Sequence, residues 1–490
     1  MGDSGGIAVL ESNPWYWTYN GRPTLLVGGS DDENVFQWPE SEMLAHLDLL
    51  KEVGGNYDRC TLSSRPDRGC EVYPFLKADD GRYDLAQWNP EFWTRLERYL
   101  RACDERDIVV QLEVWATYDL TPRWSDDAPY NPGFNVNYEG PPETILGEHY
   151  AQYREENDFY RTVPGLENDL TVLGYQRAFV DRVLSYAFKH DNVLYCIDNE
   201  YAFTQPWQWF RYWAEYIKEK AEGSGKTVLV SEMNLIDWEL DRALASGAEL
   251  SAAARERLGS GTDWYLNRNH REVFDNPDVY GYVDFSENAD KRGQQHWDNL
   301  CAVRSCLSAH PRPINHTKIY GADFGVKWNT QEGINSFWRN VCGGAASVRF
   351  HRPPTGIGLS SLAQANIKAM RKFEEAVRPW ECVPCPEGLL HRGEDSAYAI
   401  ANPGKAYGIF FPGSREPTWV KLVTDAAACP LRLRWINLTT GDWGDGHTFV
   451  GNKWEGNVIT TPMHGSDYGW AAVILPQVGE TGDRILPDYN

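Results

Sequence analysis

Apolar residues recur along the first 380 residues in two alternating patterns. Short, nearly unbroken apolar runs predict buried strands, and the stretches between them carry apolar residues at helical spacing. The predicted strands cover residues 25–27, 56–62, 107–115, 192–198, 227–233, 279–288, 315–323 and 345–351. The main predicted helices cover residues 40–53, 90–106, 174–190, 207–222, 243–258, 296–309, 333–342 and 361–377. Eight strands alternating with helices predict an α/β fold, a (β/α)8 or TIM barrel.

The pattern changes near residue 386 to short alternating runs separated by turns, with no apparent helix. Runs at 397–401, 406–411, 419–423, 431–436, 439–443 and 470–475 predict a small C-terminal antiparallel β-sandwich. We therefore expect two domains. Residues 1–385 form a catalytic barrel with an N-terminal hairpin and a long loop at 116–167, and residues 386–490 form the sandwich.

Composition narrows the possible partners. The net charge of −23 argues against nucleic acid and anionic membranes, and no apolar run is long enough to span a bilayer. Residues 1–6 lack the basic and apolar regions of a signal peptide, so none is expected in this chain. The 21 Trp and 26 Tyr exceed ordinary usage and favour a carbohydrate ligand, because flat amphipathic rings stack on sugars.

The ten cysteines are scattered and include one CxxC pair, Cys382 and Cys385. A zinc site would require a second pair at similar spacing, and the chain has none. Histidines are equally dispersed, which disfavours a metal-dependent hydrolase. We expect no metal and no cofactor.

The most informative stretch is residues 192–202, where an apolar run ends in Asp198, Asn199 and Glu200. Polar residues at the carboxyl end of a parallel strand lie where ligands bind. An Asn-Glu pair at the fourth strand resembles clan A glycoside hydrolases, which are (β/α)8 barrels. The resemblance implies that Glu200 is the general acid/base and that Asn199 hydrogen-bonds the sugar 2-hydroxyl.

Further motifs extend this resemblance over nearly the whole chain. Gly-Gly-Ser-Asp at 28–31 follows strand one, and the tail contains Leu-Arg-Leu-Arg-Trp-Ile at 431–436 and a final Tyr-Gly-Trp-Ala-Ala-Val-Ile-Leu at 468–475. Together with Asn199-Glu200, they resemble the apiosidase-type family, clan A barrels followed by a collagen-binding-like β-sandwich.

The second catalytic carboxylate departs from the family pattern. Clan A retaining enzymes place a nucleophilic Glu at the end of strand seven, whereas this chain offers Asp323 there. An Asp is an adequate nucleophile, although it is one methylene shorter. Glu287, on strand six, is the main rival. The remaining alternatives are Asp31, Glu113, Asp284 and Glu332.

The ends of the other strands supply candidate substrate-binding residues. These are Asn199, Asp31, Arg59, Glu113, Trp115, Glu287, His316, Trp328, Arg349 and His351. Four of them carry cationic or imidazole side chains, namely Arg59, His316, Arg349 and His351. These side chains would suit an anionic sugar, such as a uronate or a sulfate ester. A role in neutralising the catalytic carboxylates would explain these four side chains equally well.

These observations predict a glycoside hydrolase that cleaves a plant or algal polysaccharide or oligosaccharide. The resemblance implies a retaining two-carboxylate mechanism, and the long third loop suggests a steep-walled pocket and exo action. The alternative is a non-catalytic carbohydrate-binding protein on a decayed barrel, favoured by the missing strand-seven Glu. The sequence does not indicate an oligomeric state.

Overall fold

The structure is a computed structural model. It describes residues 5–121, 127–140, 157–200, 204–234, 237–260, 263–323, 328–384, 389–424, 430–452 and 454–477. Parts of the predicted third loop, at 122–126 and 141–156, lie outside this range, as does Cys385.

Eight strands form two four-stranded parallel sheets and alternate with helices, as predicted. From edge to edge the first sheet contains the fifth, fourth, third and second of these strands, and the second sheet contains the sixth, seventh, eighth and first. The strands are β4 Leu26–Gly29, β5 Tyr57–Thr61, β8 Val109–Ala116, β9 Val193–Asn199, β10 Val230–Ser231, β11 Val283–Asp284, β12 Ile314–Ile319 and β13 Ser347–Phe350. The described helices are Glu40–Glu52, Pro90–Asp104, Thr117–Leu120, Leu170–Ala187, Trp207–Gly223, Trp238–Ser246, Ala252–Leu258, Arg268–Asp275, Gly293–Cys306, Thr330–Cys342 and Ser361–Val377.

The two parallel sheets adjoin along both of their edges. On one side the amide of Asn56 donates to the carbonyl of Val27 over 3.0 Å, next to β4 and β5. A Cβ atom on Gly28 would lie 1.9 Å from the carbonyl oxygen of Tyr57, so only glycine fits this approach. On the other side Gly281 donates to Val230 over 2.9 Å, and Met233 forms a parallel bridge with Asp284.

Short strands β1 Ile7–Val9, β2 Trp17–Tyr19 and β3 Arg22–Thr24 form the predicted N-terminal hairpin sheet. Trp17 is buried, and its Nε1 donates to Oδ1 of Asn315 over 3.1 Å. A second hairpin, β6 Phe75–Lys77 and β7 Tyr83–Trp88, was not predicted. The strands β10 and β11 are shorter than the predicted runs at 227–233 and 279–288.

Beyond residue 382 the chain forms two antiparallel sheets. A six-stranded sheet has the order β14-β16-β17-β22-β19-β20, and a three-stranded sheet has the order β15-β18-β21. The strands are β14 Val383–Pro384, β15 Leu390–His391, β16 Tyr398–Asn402, β17 Ala406–Pro412, β18 Trp419–Leu422, β19 Pro430–Asn437, β20 Trp443–Val450, β21 Asn457–Thr460 and β22 Gly469–Pro476. The predicted run at 439–443 is a turn instead, and β20 begins where it ends.

Each face of the six-stranded sheet contacts a different partner. Tyr407, Ile409 and Ile474 share a hydrophobic cluster with Val420 and Leu422 of the three-stranded sheet. On the opposite face Phe410 stacks on Trp338 of the helix Thr330–Cys342, with ring centroids 6.0 Å apart. Asn366, on the helix Ser361–Val377, donates from Nδ2 to the carbonyl of Leu438 over 2.9 Å. The sheet is therefore packed directly against the helices of the preceding α/β region.

No helix within the described residues is long and apolar enough to cross a membrane.

Candidate functional site

Glu200 follows the last residue of β9 and sits in an unusual backbone conformation. Its φ is +67°, in the left-handed region that residues other than glycine seldom adopt. Such a conformation costs about 1–3 kcal/mol and persists where the surrounding structure imposes it, often at functional sites. About a quarter of the side chain remains exposed, 25%. The carboxylate is therefore held in place and still accessible to a ligand.

Two side chains from the end of strand seven contact this carboxylate. Nζ of Lys318 lies 2.7 Å from Oε1 of Glu200 and 2.5 Å from Oδ1 of Asn199. The hydroxyl of Tyr320 donates to the same Glu200 oxygen over 3.4 Å. Lys318 is only 4% exposed, so water screens this ion pair weakly. Lys318 thus binds both members of the Asn-Glu pair.

An irregularity in β12 explains why Lys318 reaches the site. The pairing with β13 shifts between His316 and Ile319. Thr317 faces the interior, where its Oγ1 donates to Oδ2 of Asp284 over 3.3 Å, and Lys318 follows it on the site side. A bulge of this kind re-aims a side chain.

A cluster of charges, most of them buried, lies on or just after strands one, two, three and eight. Arg59 donates from Nε to Oε1 of Glu113 over 2.6 Å, and its Nη2 lies 3.4 Å from Oε2 of Glu33. Glu33 also contacts Arg65 at 3.1 Å, Arg352 at 3.1 Å and Nε2 of His351 at 3.5 Å. Burial opposes ionisation, but the surrounding cations hold the pKa of Glu33 well below its usual range. Glu33 is therefore an ionised counter-ion.

Three further carboxyl groups are buried among the strands and carry raised pKa values. Burial raises the pKa of Asp198 to about 7 and that of Asp284 to about 6, and both accept hydrogen bonds from neighbouring side chains. Burial also raises the pKa of Glu232, next to β10, well above its ordinary value. Neither carboxyl oxygen of Glu232 has a hydrogen-bond partner among the described residues. Burial therefore favours the protonated form of Glu232.

The described contacts of Asp323 are made with a helix rather than with Glu200. Its Oδ1 accepts the amide of Thr330, at the start of the helix Thr330–Cys342, over 3.0 Å, and its own amide donates to Oγ1 of Thr330 over 3.1 Å. Asp323 is exposed and lies four residues beyond β12. It is therefore near the predicted end of strand seven and accessible to a ligand.

Glu287, the rival second carboxylate, is buried and paired. It lies in a short 3-10 helix, Ser286–Asp290, and its Oε1 contacts Nε2 of His270. Nδ1 of His270 lies 3.0 Å from Oδ1 of Asn267, so the imidazole is held from both sides. The other oxygen of Glu287 has no hydrogen-bond partner among the described residues. The carboxyl group is thus fixed by a histidine.

Two expected binding residues face the helices instead of the site. Trp115 is buried in an aromatic cluster with Phe179 and Trp213, at ring distances of 4.9 Å and 6.0 Å. His316 packs against Phe285 and His296, and burial lowers its pKa to about 3. The reason is strand geometry, because neighbouring side chains point to opposite faces and the helix layer covers one of them.

Three more expected residues have structural contacts. Arg349 is fully buried, with Nε 3.3 Å from Oδ1 of Asp58. Asp31, on the rim, accepts the amide of Leu359 over 2.8 Å. Trp328 donates from Nε1 to the carbonyl of Ala289 over 2.9 Å, next to the segment that carries Glu287. Of these, Asp31 and Trp328 remain partly accessible, whereas Arg349 joins strands within the core.

Sequence reasoning missed Lys318, Glu33 and Glu232. Glu33 could have been found, because it directly follows the Gly-Gly-Ser-Asp-Asp segment after strand one. Glu232 could also have been found, because it ends an apolar run as Glu200 does. Lys318 gave no signal, because the bulge that turns it inward is not visible in the residue pattern.

The described residues contain no group of three or more His, Cys, Asp or Glu side chains arranged to hold a metal ion. Cys382 is a free buried thiol among these residues.

The fold of this chain is similar to that of solved glycoside hydrolase structures. The chain matches no protein-family model and no curated protein. It is similar to a solved glycoside hydrolase family 5 structure from Bacteroides vulgatus ATCC 8482, with 12% identity, a TM-score of 0.59 and coverage of 96% of this chain and 93% of that chain. A second solved structure, a glycoside hydrolase, has 10% identity, a TM-score of 0.58 and coverage of 98% of both chains. The chain has the fold of these glycoside hydrolases. At this level of identity the likeness establishes the fold and not the reaction.

Proposed function

We propose that this protein is a glycoside hydrolase in which Glu200 is a reacting carboxylate. The observation that carries the proposal is the placement of Glu200 directly after β9, in a left-handed conformation, partly exposed and contacted by Lys318 and Tyr320. The fold shared with glycoside hydrolases supports it. We further propose that the eight parallel strands close into one (β/α)8 barrel, residues 1–385, followed by a sandwich domain, residues 386–490.

The proposed reaction retains the configuration at the anomeric carbon. An oxygen of Asp323 attacks this carbon and forms an ester bond while the glycosidic bond breaks, and Glu200 gives its proton to the leaving oxygen. Glu200 then takes a proton from the water that attacks the same carbon, and Asp323 leaves as a carboxylate. Retention requires the two carboxyl groups to approach within about 5–5.5 Å when substrate is bound.

Lys318 affects the protonation of Glu200 in this scheme. Its ammonium favours the ionised form of Glu200, which is the form that accepts a proton from water in the second step. The first step needs a protonated Glu200, so the ion pair opposes it. Asn199, whose side-chain oxygen also binds Lys318, is the group we propose to bind the sugar 2-hydroxyl.

We propose that the substrate is a plant or algal polysaccharide or oligosaccharide, cleaved from one end and carrying acidic sugars. Arg65 and Arg352 support the acidic preference, because their side chains are 13% and 21% exposed at the rim beside Glu33. Arg59 and His351 are buried and paired with Glu33, so neutralisation of that carboxylate explains them better. Exo action rests on the length of the loop after strand three.

A second candidate function is carbohydrate binding without hydrolysis. The observation that favours it is the identity of the charged partner of Glu200 at strand seven, which is Lys318 rather than a carboxylate. On that account the site would bind a sugar hydroxyl through the ion pair and break no bond.

The test is a search for released sugars, with the pure protein incubated with neutral, uronic and sulfated glycans. Proton NMR of the first product distinguishes retention, which we expect, from inversion, which would exclude Asp323 as a nucleophile. Binding of a glycan in the same panel without any release would favour the second candidate function.

A further inference from the structure

The three-stranded sheet of the C-terminal domain presents an open groove on its outer face. Along β18 the side chains alternate, so that Val420 and Leu422 are buried while Trp419 and Lys421 are exposed. His391 of β15 is directly opposite Lys421 and is also exposed. An indole and two basic side chains therefore share one surface.

This groove encloses about 650 Å³ and has a distinctive lining. Its described lining residues are His391, Arg392, Gly393, Ser396, Pro417, Thr418, Trp419 and Lys421. Three are basic or imidazole side chains and none is acidic, in a protein with a net charge of −23. Asp395, from the same loop, lies 3.6 Å from Nη1 of Arg339 instead. The described lining thus carries two cationic side chains, Arg392 and Lys421, and one imidazole.

Trp419 lies in this groove with 60% of its surface exposed. The neighbouring lining residues Thr418 and Ser396 supply hydroxyl groups. A flat apolar ring flanked by hydroxyl and basic groups matches a sugar ring that carries a carboxylate or sulfate.

One end of the groove approaches the helices of the α/β region. The loop with Arg392 and Ser396 approaches the start of the helix Gly293–Cys306, where the amide of Asp395 donates to Oε1 of Gln294 over 3.5 Å. In a β/α repeat the helices begin at the carboxyl ends of the strands. The loop at one end of the groove is therefore on the same side of the α/β region as Glu200.

We propose that the groove around Trp419 binds an acidic oligosaccharide chain and holds an extended substrate beside the first domain. This deepens the proposed function and rests on it for the choice of a glycan as ligand. The sugar ring stacks on Trp419, and its anionic groups contact Lys421, Arg392 and His391.

The experiment measures binding of a galacturonic acid hexamer to the full chain by calorimetry, in a Glu200→Gln background that prevents hydrolysis. We expect Trp419→Ala and Lys421→Glu each to weaken binding about tenfold, and added NaCl to weaken it further. The matched control is Trp454→Ala, because Trp454 is 85% exposed and lies outside the groove lining. A neutral mannan hexamer should bind more weakly than the acidic hexamer.

Equal affinities of the Trp419→Ala and Trp454→Ala variants would overturn the proposal. So would a preference for the neutral hexamer, or a Trp419-dependent dimer by light scattering, which would assign the surface to a second copy. The outcome is separable from the proposed function. If binding depends on Trp419 but the wild-type chain hydrolyses no glycan, the groove proposal is supported and the proposed hydrolase function is contradicted. If the wild-type chain hydrolyses a glycan but Trp419→Ala leaves binding unchanged, the hydrolase function is supported and the groove proposal is contradicted.

Discussion

The ammonium of Lys318 lies 2.7 Å from Oε1 of Glu200, so a lysine from strand seven forms an ion pair with the carboxylate that follows strand four. The described groups around that carboxylate also include the hydroxyl of Tyr320 and, through the electrostatic field, Arg59. Both cations favour ionised Glu200. The protonation of Glu200 should therefore depend on Lys318.

Replacing Lys318 with Met removes the charge and keeps the length of the side chain. We expect the limb of the kcat/KM pH profile that belongs to Glu200 to move upward, because the variant lacks the ammonium that favours the ionised carboxylate. Movement of the alkaline limb would identify Glu200 as an acid, and movement of the acid limb as a nucleophile or base. Lys318→Arg should restore the original profile. An unchanged profile in the Met variant would contradict the ion pair's role.

Asp323 is tested by Asp323→Asn, which keeps the Oδ1 atom that accepts the amide of Thr330. We expect kcat to fall at least about a hundredfold, since an amide is a poor nucleophile, with the free energy of unfolding changed by less than about 1 kcal/mol. Asp298→Asn, on an exposed position of the helix Gly293–Cys306, is the control. Full activity in Asp323→Asn would exclude this residue and direct attention to Glu287.

Glu232 is buried without a hydrogen-bond partner among the described residues, and burial raises its pKa. The unfolded chain ionises this group near pH 4.3 whereas the folded protein keeps the proton, so the folded state binds more protons. Stability is then full below pH 4.3 and falls by about 1.4 kcal/mol per pH unit as pH rises toward the folded pKa. Glu232→Gln should remove this loss.

Thermal unfolding at pH 5 and pH 8 measures the effect. The melting temperature of the Glu232→Gln variant should exceed that of the wild type by more at pH 8 than at pH 5. Glu222→Gln, an exposed change on the helix Trp207–Gly223, should show no such trend. A difference for Glu232→Gln that does not vary with pH would contradict the buried, protonated state.

Glu33 neutralises Arg59, Arg65 and Arg352, which lie within 3.1–3.4 Å of its carboxylate. We expect Glu33→Gln to lower the free energy of unfolding in urea by about 3–5 kcal/mol, because the fully buried guanidinium of Arg59 loses one of its two carboxylate partners and the partly buried Arg65 and Arg352 lose a shared one. Asp67→Asn removes a partner of Arg65 and Arg352 at the more exposed rim and should cost less than about 1 kcal/mol. Equal losses would show that Glu33 is not the central counter-ion.

Hydrophobic periodicity was sufficient to predict the order of strands and helices up to about residue 380. The helix Ser361–Val377 coincides with its predicted bounds, and β9 ends at Asn199, within the polar segment Asp198-Asn199-Glu200 that ends the predicted apolar run. These segments are long or strongly patterned, so local sequence determines them. The predicted strands at 227–233 and 279–288 were longer than the observed β10 and β11, because the apolar runs continue beyond the residues that pair.

The site was harder to predict because it depends on side-chain direction at strand ends. Trp115 lies near the end of β8, whereas His316 lies in the first half of β12 rather than at its end, and both rings pack against the helices. The bulge in β12 turns Lys318 toward Glu200, which lies 118 residues earlier in the chain. Pairings of this kind depend on tertiary geometry that one-dimensional patterns do not contain.

The central claim, that Glu200 is a reacting carboxylate, is tested most directly by Glu200→Gln on the glycan that the wild type cleaves. We expect kcat to fall by at least about a thousandfold while the dissociation constant for the glycan stays within a few-fold, because the amide can neither donate nor accept the proton. The control Glu222→Gln should retain full activity. Wild-type turnover in the Glu200→Gln variant would contradict the account.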